Sequence, residues 1–141
     1  MKLLFSVFFS FVFLTCFGQL QPLTGQGVTL NTQSGDIHGK LLLPPGMKSF
    51  PVVLLIAGSG PTDMDGNSAV GQMTNNSLRY LAEDLAKQGI ASLRFDKRGI
   101  ASSASAGKRE ADLRFEDYVN DVKGWIDYLK KDSRFTGITV I

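Results

Sequence analysis

Residues 51–56 read Pro-Val-Val-Leu-Leu-Ile, a continuously apolar run of six residues. Such a run is typical of a strand that is covered on both faces inside a parallel sheet. Two further strand-like segments follow at residues 90–95 and 138–141. A helical pattern and a polar loop separate each segment from the one before it. This alternation predicts a three-layer α/β arrangement with right-handed crossovers.

Between these segments, apolar residues recur three and four positions apart, as on one face of a helix. The first stripe consists of Leu78, Leu81, Ala82, Leu85 and Ala86. Asn76 or Ser77 can cap its start, and Gly89 is placed to end it. The second stripe consists of Phe115, Val119, Val122, Ile126 and Leu129, together with Trp125. Burying the leucines of the first stripe would contribute roughly 5 to 9 kcal/mol before the entropy cost.

Two shorter strand-forming segments precede residue 51. Residues 28–33 and 37–43 flank Ser34-Gly35-Asp36, which suits a hairpin turn because glycine can adopt a positive φ. Residues 19–27 are rich in Gln and Gly and are predicted to be a flexible lead-in. The domain is therefore expected to cover residues 28–141, with a hairpin followed by β-α-β-α-β.

The first 18 residues have the pattern of a secretory signal peptide. Lys2 is followed by a 15-residue apolar run, which is shorter than the roughly 20 residues of a membrane span. Cys16 and Gly18 supply small residues at positions −3 and −1, so we predict cleavage before Gln19 and a secreted or periplasmic protein without a stable membrane span. Lipoprotein processing at Cys16 is the alternative, which the preceding Phe-Leu-Thr disfavours because it is a poor lipobox.

Charge and cysteine content exclude several functional classes. The chain has 15 basic and 13 acidic residues, and its net charge of +2 becomes +1 if Lys2 leaves with the leader. Nucleic-acid binding is therefore not expected. Cys16 is the only cysteine and lies in the leader, so the mature chain can form neither a disulfide nor a thiol-based site.

Two polar loops follow the predicted strands at their carboxyl ends, where open α/β sheets place their sites. Residues 57–67 read Ala-Gly-Ser-Gly-Pro-Thr-Asp-Met-Asp-Gly-Asn, and residues 96–99 read Asp-Lys-Arg-Gly. Both motifs resemble those of the α/β-hydrolase superfamily, in its bacterial carboxylesterase branch near the serine-aminopeptidase-like hydrolases. The resemblance covers about residues 28–141 and corresponds to the front half of the catalytic domain.

The resemblance implies a three-layer α/β-hydrolase-like fold. It also implies a serine esterase that acts on small carboxylic esters through an acyl-enzyme, without a cofactor. Ester hydrolysis builds negative charge on the carbonyl oxygen, and the backbone N–H groups of Ser59 and Gly60 are the predicted oxyanion hole. The alternative is that residues 58–60 only turn the chain at a strand end.

Two further groups of residues are implied. The substrate-approach loop contains Gly58, Asp63 and Asp65, and the structural turn contains Asp96, Arg98 and Gly99. We expect Asp96 and Arg98 to tie their own loop together. No metal is predicted at Asp63 and Asp65, because an EF-hand loop would need Gly and Glu where Ser68 and Thr74 stand. Hydrogen-bonded loop closure is the preferred interpretation of these carboxylates.

None of the catalytic triad is expected within this chain. A Gly-x-Ser-x-Gly elbow around Ser59 would need glycine where Ala57 and Pro61 stand. The serines of residues 102–107 also lack an elbow, and this stretch is predicted to be a solvated, mobile loop. His38 is the only histidine, and because it precedes any elbow we expect an ordinary strand residue.

Residues 138–141 resemble the strand that leads into the nucleophile elbow of this superfamily. The serine, the acid and the histidine are therefore expected beyond Ile141, and residues 19–141 alone are expected to be inactive and poorly soluble, with an unpaired apolar edge. Two other readings stay open. One is a secreted peptidase or amidase of the same fold, and the other is a non-catalytic binding protein that has lost the triad.

Overall fold

The strand and helix patterns form one mixed, five-stranded sheet with a helix on each face in a computed structural model, which describes residues 23–141. The strands are β1 (Gln26–Thr32), β2 (Gly35–Leu42), β3 (Phe50–Leu55), β4 (Ala91–Phe95) and β5 (Phe135–Val140). The helices are α1 (Ser77–Lys87) and α2 (Phe115–Lys130), with short 3₁₀ segments at Val70–Gln72, Ala101–Ala106 and Glu110–Asp112. The leader and the predicted cleavage site before Gln19 lie outside the described residues.

The order of the strands is β1-β2-β4-β3-β5. β2 runs antiparallel to both β1 and β4, whereas β3 runs parallel to β4 and to β5. The predicted hairpin followed by β-α-β-α-β is therefore confirmed. β5 pairs with β3 on one side and lies at the edge of the sheet, so its other side has no strand partner among the described residues, as expected.

The apolar run of β3 is buried on both faces of the sheet, as predicted. Its side chains alternate between the faces, so Val52 and Leu54 pack in one cluster with Trp125 of α2. Leu55 packs in the other cluster with Ala82 of α1. The two faces of β3 therefore pack in the clusters of both helices, one face with α2 and the other with α1.

The helical stripes are confirmed as helices, but not every stripe residue is buried. Leu81 is 39% exposed and Phe115 is 77% exposed, so the expected burial of every leucine in the first stripe is wrong. Ala82 and Ala86 are the buried residues of α1, because their small side chains let the helix lie close to the sheet. Neither helix in residues 23–141 is long and apolar enough to cross a membrane.

The stretch predicted to be a solvated loop is exposed for the most part, but two of its residues are buried. Residues 101–106 form a 3₁₀ segment in which Ser103 and Ala106 are fully buried. The Ser103 hydroxyl accepts a hydrogen bond of 2.9 Å from the His38 backbone N–H on β2. A Cβ on Gly35 would come within 2.9 Å of the Ala106 Cα, so the hairpin turn lies directly against this segment.

The ends of several strands differ from the sequence prediction. β1 begins at Gln26, so the last two residues of the predicted lead-in belong to the sheet. β5 begins at Phe135 rather than after Gly137, because the Phe135 ring packs against Phe50 with 5.9 Å between ring centroids. The pairing of β3 with β5 shifts register between Phe50 and Val52, and Gly137 lies in that part of β5.

Candidate active site

The carboxyl ends of β3, β4 and β5 meet at one edge of the sheet. The Ile56 N–H donates a 2.8 Å hydrogen bond to the Ile141 carbonyl, and the Ile141 N–H donates one of 3.1 Å to the Leu54 carbonyl. Ile141 therefore lies directly beside the start of the loop that follows β3. This is the edge at which open α/β sheets place their sites.

The turn at residues 58–60 is exposed and has unused hydrogen-bond donors. Within residues 23–141, neither the Ser59 N–H nor the Gly60 N–H donates a hydrogen bond to the protein. Gly60 has φ of +85°, a conformation that strongly favours glycine. A Cβ on Gly58 would meet no atom within 4 Å, so packing does not require glycine there and the space beside it is open. The turn can therefore present two N–H groups to a ligand.

Lys97 holds this turn from the neighbouring loop. Its ammonium donates hydrogen bonds to the Gly58 carbonyl and, at 2.8 Å, to the Gly60 carbonyl. Partial burial lowers the pKa of Lys97 below its ordinary value. No role was predicted for Lys97 from the sequence. The available signal was its position two residues after the end of β4, because β3 and β4 are parallel neighbours whose carboxyl ends lie side by side.

Asp63 closes its own loop. Its Oδ1 accepts hydrogen bonds from the backbone N–H of Asp65 at 2.9 Å and of Asn67 at 2.8 Å. The Asn67 side chain in turn contacts Asn76 at the start of α1, accepting from its N–H at 2.9 Å. Asn76 itself makes no side-chain cap, contrary to prediction, because its Oδ1 accepts from Asn67. The side chain joins the loop to α1 instead of closing the helix.

Asp65 is directed into the protein. Its Oδ1 accepts a 2.8 Å hydrogen bond from Nε of Arg94, whose side chain is only 5% exposed. The Asp65 carbonyl also accepts from the backbone N–H of Leu78 and Arg79 in α1. The carboxylates of Asp63 and Asp65 are bound to groups of the protein, in agreement with the loop closure preferred for them from the sequence. Both carboxylates stabilise the conformation of the loop.

Asp96 joins the two polar loops. It is 2% exposed. Its Oδ1 accepts a 2.6 Å hydrogen bond from the Met64 N–H, and its Oδ2 accepts from both the N–H and the hydroxyl of Ser102, at 2.9 and 2.5 Å. A carboxylate with these three donors connects the loop after β3 to the loop after β4. Sequence analysis placed Asp96 in a structural turn, but did not anticipate its bond to the loop after β3.

Arg98 forms an ion pair with Asp121 of α2, and no salt bridge joins it to Asp96 among the described residues. Its Nε and Nη2 donate to the two oxygens of Asp121 at 2.9 and 2.5 Å, and its Nη1 donates to the Ser34 hydroxyl and the Ala106 carbonyl. Burial raises the pKa of Asp121, and Arg98 opposes that shift. Arg98 therefore ties the loop after β4 to the hairpin and to α2, not to Asp96. Gly99 follows with φ of +80°.

A cavity of about 680 Å³ lies between the two polar loops. Its walls include Pro61, Asp63 and Asn67 from the first loop, and Gly99 and Ile100 from the second. The cavity is next to the exposed turn at residues 58–60 along the chain. It is therefore the candidate position for a small-molecule substrate.

A second cavity, of about 570 Å³, lies between the hairpin and α2. Its charged side chains are already paired, with Arg98 on Asp121 and Lys108 on Asp117 at 2.6 Å. The hydrogen bond from Lys108 lowers the pKa of Asp117. We assign no ligand to this cavity, because its charges are satisfied by the protein.

No hydrogen bond joins the His38 imidazole to a serine side chain among the described residues. His38 lies on β2, where its Nδ1 is 3.2 Å from the Thr29 hydroxyl of β1. The Ser59 hydroxyl has no hydrogen-bond partner among residues 23–141, so no base activates it. No group of three His, Cys, Asp or Glu side chains in this part of the chain could hold a metal ion. The edge of the sheet offers N–H donors and a cavity.

Comparison with known proteins identifies the fold. No protein-family profile matches the chain. Esterase EstD of Thermotoga maritima is 42% identical over 62 residues, which are 44% of this chain and 14% of that protein. Est1E from Butyrivibrio proteoclasticus has a similar structure, with a TM-score of 0.59 at 19% identity over 83% of this chain and 39% of its own. A lidless α/β serine hydrolase from Xanthomonas campestris gives a TM-score of 0.54 at 22% identity, over 86% of this chain and 52% of that one. The chain has the α/β-hydrolase fold.

The chain contains only part of the length of these α/β hydrolases. It covers 14% of the curated esterase and about two fifths to one half of the solved structures. The described elements agree with the resemblance found in the sequence, from the hairpin through β5. The exposed turn after β3 and the cavity beside it lie at the carboxyl ends of the strands of this sheet.

Proposed function

We propose that this chain forms the amino-terminal part of a serine hydrolase that cleaves small carboxylic esters through an acyl-enzyme. The observation that carries the proposal is the exposed turn at the carboxyl end of β3, in which the N–H groups of Ser59 and Gly60 have no acceptor within residues 23–141. The esterase relative and the hydrolase fold support the same chemistry.

In the proposed reaction, a serine hydroxyl attacks the ester carbonyl carbon and the carbonyl oxygen takes up the negative charge. The N–H groups of Ser59 and Gly60 would donate to that oxygen, and the alcohol would leave as the acyl-enzyme forms. Water would then release the acid. Donors fixed in a turn need no reorganisation, so their effect would be larger in the transition state than in the ground state.

The nucleophile, its base and the acid are proposed to lie outside residues 1–141. His38 is the single histidine of the chain, and on β2 its imidazole contacts the Thr29 hydroxyl of β1. The Ile141 carbonyl accepts a hydrogen bond from the Ile56 N–H, so a residue that followed Ile141 would lie near the proposed oxyanion turn. We accordingly expect residues 19–141 alone to have no turnover of a short-chain aryl ester.

The test compares Ser59→Ala with Ser59→Pro in the full-length protein. Ser59→Ala keeps the backbone N–H and should retain most of kcat. Ser59→Pro removes the N–H and should lower kcat on the order of 10² to 10³ fold beyond any loss of folded protein, which thermal melting measures separately. Loss of acyl-enzyme formation in folded Ser59→Ala would instead identify the hydroxyl as the nucleophile.

The same protein distinguishes the alternative functions. Matched aryl ester and aryl anilide substrates of one acyl group separate an esterase from an amidase or peptidase. A serine-directed phosphonate that labels the protein, located by peptide mass spectrometry, supports the acyl-enzyme. Absence of both labelling and turnover in well-folded protein would leave a non-catalytic binding protein and refute the proposal.

A further inference from the structure

Lys97 is the cationic side chain that contacts the proposed oxyanion turn. Its Nζ lies within hydrogen-bond distance of the carbonyls of Gly58 and Gly60, the residues on either side of Ser59. No carboxylate in residues 23–141 lies within salt-bridge distance of Lys97. Its charge is therefore directed at peptide carbonyls, which is an unusual use of a partly buried ammonium group.

The contact with Gly58 fixes the direction of one particular N–H. The Gly58 carbonyl and the Ser59 N–H belong to the same peptide unit, and no described peptide bond is cis. In a planar trans peptide the C=O and the N–H point to opposite sides. An ammonium that holds the Gly58 carbonyl therefore turns the Ser59 N–H away from itself and out of the turn.

The contact with Gly60 holds the other end of the turn. The Gly60 carbonyl also accepts a 2.9 Å hydrogen bond from the Thr62 N–H. The next residue, Pro61, has no N–H of its own. Lys97 thus holds the carbonyls on both sides of the Ser59-Gly60 peptide, while the N–H groups of Ser59 and Gly60 keep no protein partner within the described part of the chain.

We propose that Lys97 is a positioning residue of the oxyanion hole, which aims the Ser59 N–H and strengthens it as a donor by polarising the Gly58–Ser59 peptide. The inference rests on the proposed function, since the oxyanion belongs to that reaction. A positive charge at the carbonyl end of a peptide draws electron density from its N–H end, so the donor becomes stronger where negative charge develops. Partial burial lowers the pKa of Lys97. This agrees with a site in which solvent screens the ammonium charge poorly.

The experiment uses Lys97→Met, Lys97→Arg and the control Lys48→Met in the full-length protein. Met keeps the length of the side chain without its charge, and Lys48 is an exposed lysine before β3. We expect Lys97→Met to lower kcat by about 10 to 10² fold with KM changed less than about twofold, since the lost interaction acts in the transition state. Lys97→Arg should recover part of kcat, and Lys48→Met should match the unaltered protein.

Two further measurements separate positioning from general damage. Affinity for an alkyl boronic acid, which forms a tetrahedral anion on the nucleophile, should fall in parallel with kcat in Lys97→Met. Base-catalysed amide exchange of Ser59, whose N–H has no acceptor among the described residues, should become slower in that variant, because the N–H loses the positive charge that makes it more acidic. It should stay unchanged in Lys48→Met. Unchanged kcat, boronate affinity and exchange in Lys97→Met would overturn the inference, as would a kcat loss fully explained by a lower fraction of folded protein.

The failure of the inference and that of the proposed function give different results. An unaltered protein that neither hydrolyses esters nor reacts with the phosphonate refutes the proposed function. Exchange at Ser59 then still decides whether Lys97 polarises the Gly58–Ser59 peptide, and an unchanged rate in Lys97→Met refutes this too. Normal esterase activity in both the unaltered protein and Lys97→Met refutes only the role of Lys97.

Discussion

Arg98→Met is expected to destabilise the full-length protein by about 3 to 5 kcal/mol, the cost of removing one partner from a buried ion pair. The side chains of Arg98 and Asp121 are each 4% exposed, and two hydrogen bonds of 2.9 and 2.5 Å join them. Solvent therefore screens this ion pair much less than it screens an exposed pair. The Ser34 hydroxyl and the Ala106 carbonyl lose the same donor.

The destabilisation should depend on pH in a defined direction. Burial already raises the pKa of Asp121, and removing Arg98 removes the interaction that opposes this shift. When the pKa of a carboxyl is higher in the folded than in the unfolded protein, the protein loses stability as the pH rises through that pKa. The loss in free energy of unfolding caused by Arg98→Met should therefore be larger near about pH 7 than near about pH 4.

Urea unfolding of Arg98→Met, Asp121→Asn and the double variant measures the effect. The double variant should be less destabilised than the sum of the single variants, because neither charge remains buried alone. Arg109→Met is the control, since the Arg109 side chain of the Arg109–Asp112 pair is 84% exposed, and it should change stability by less than about 0.5 kcal/mol. Additive effects, or a loss below about 1 kcal/mol for Arg98→Met, would refute this account of the pair.

Three further predictions concern other parts of the chain. Gly60→Ala should lower kcat and cost about 1 kcal/mol or more of stability, because φ of +85° is unfavourable for alanine; activity assays and melts check it. Intact mass of the exported protein should show an N-terminus at Gln19, whereas a lipid-modified Cys16 would contradict this. NMR titration should find the pKa of Asp117 below its ordinary value and returning upward in Lys108→Met. The contribution of Asp117 to stability is then present at neutral pH and is lost as pH falls through that lowered pKa.

The order of the elements could be predicted because strand and helix periods are local properties of the sequence. The unbroken apolar run of β3 and the helical stripes indicated which segments form strands and which form helices. Burial of individual residues could not be predicted in the same way. Leu81 and Phe115 fit their stripes but are exposed, because a stripe defines a helix face and not how much of that face a neighbour covers.

The contacts of the candidate site were harder to predict, since most join residues distant in sequence. Asp96 was recognised as structural, but its bond to Met64 spans 32 residues. Ser103 looked like part of a solvated loop because its neighbours are small and polar, yet β2 buries it. Lys97 stands in a charged turn that is ordinarily solvated, and only the parallel pairing of β3 and β4 brings it to the carbonyls of Gly58 and Gly60.

The three hydrogen bonds of the buried Asp96 carboxylate have a mechanical consequence for the cavity of about 680 Å³. One rigid group spans the loops that form its opposing walls, so these walls should shift together and the width between them should stay nearly constant. In the proposed ester hydrolysis, adjustment to bulkier acyl groups would then depend on side chains that project freely into the opening. Met73 is such a group, with 57% of its surface exposed and an unbranched thioether that readily changes rotamer. Variation at position 73 should therefore alter substrate preference with little effect on the stability of the fold.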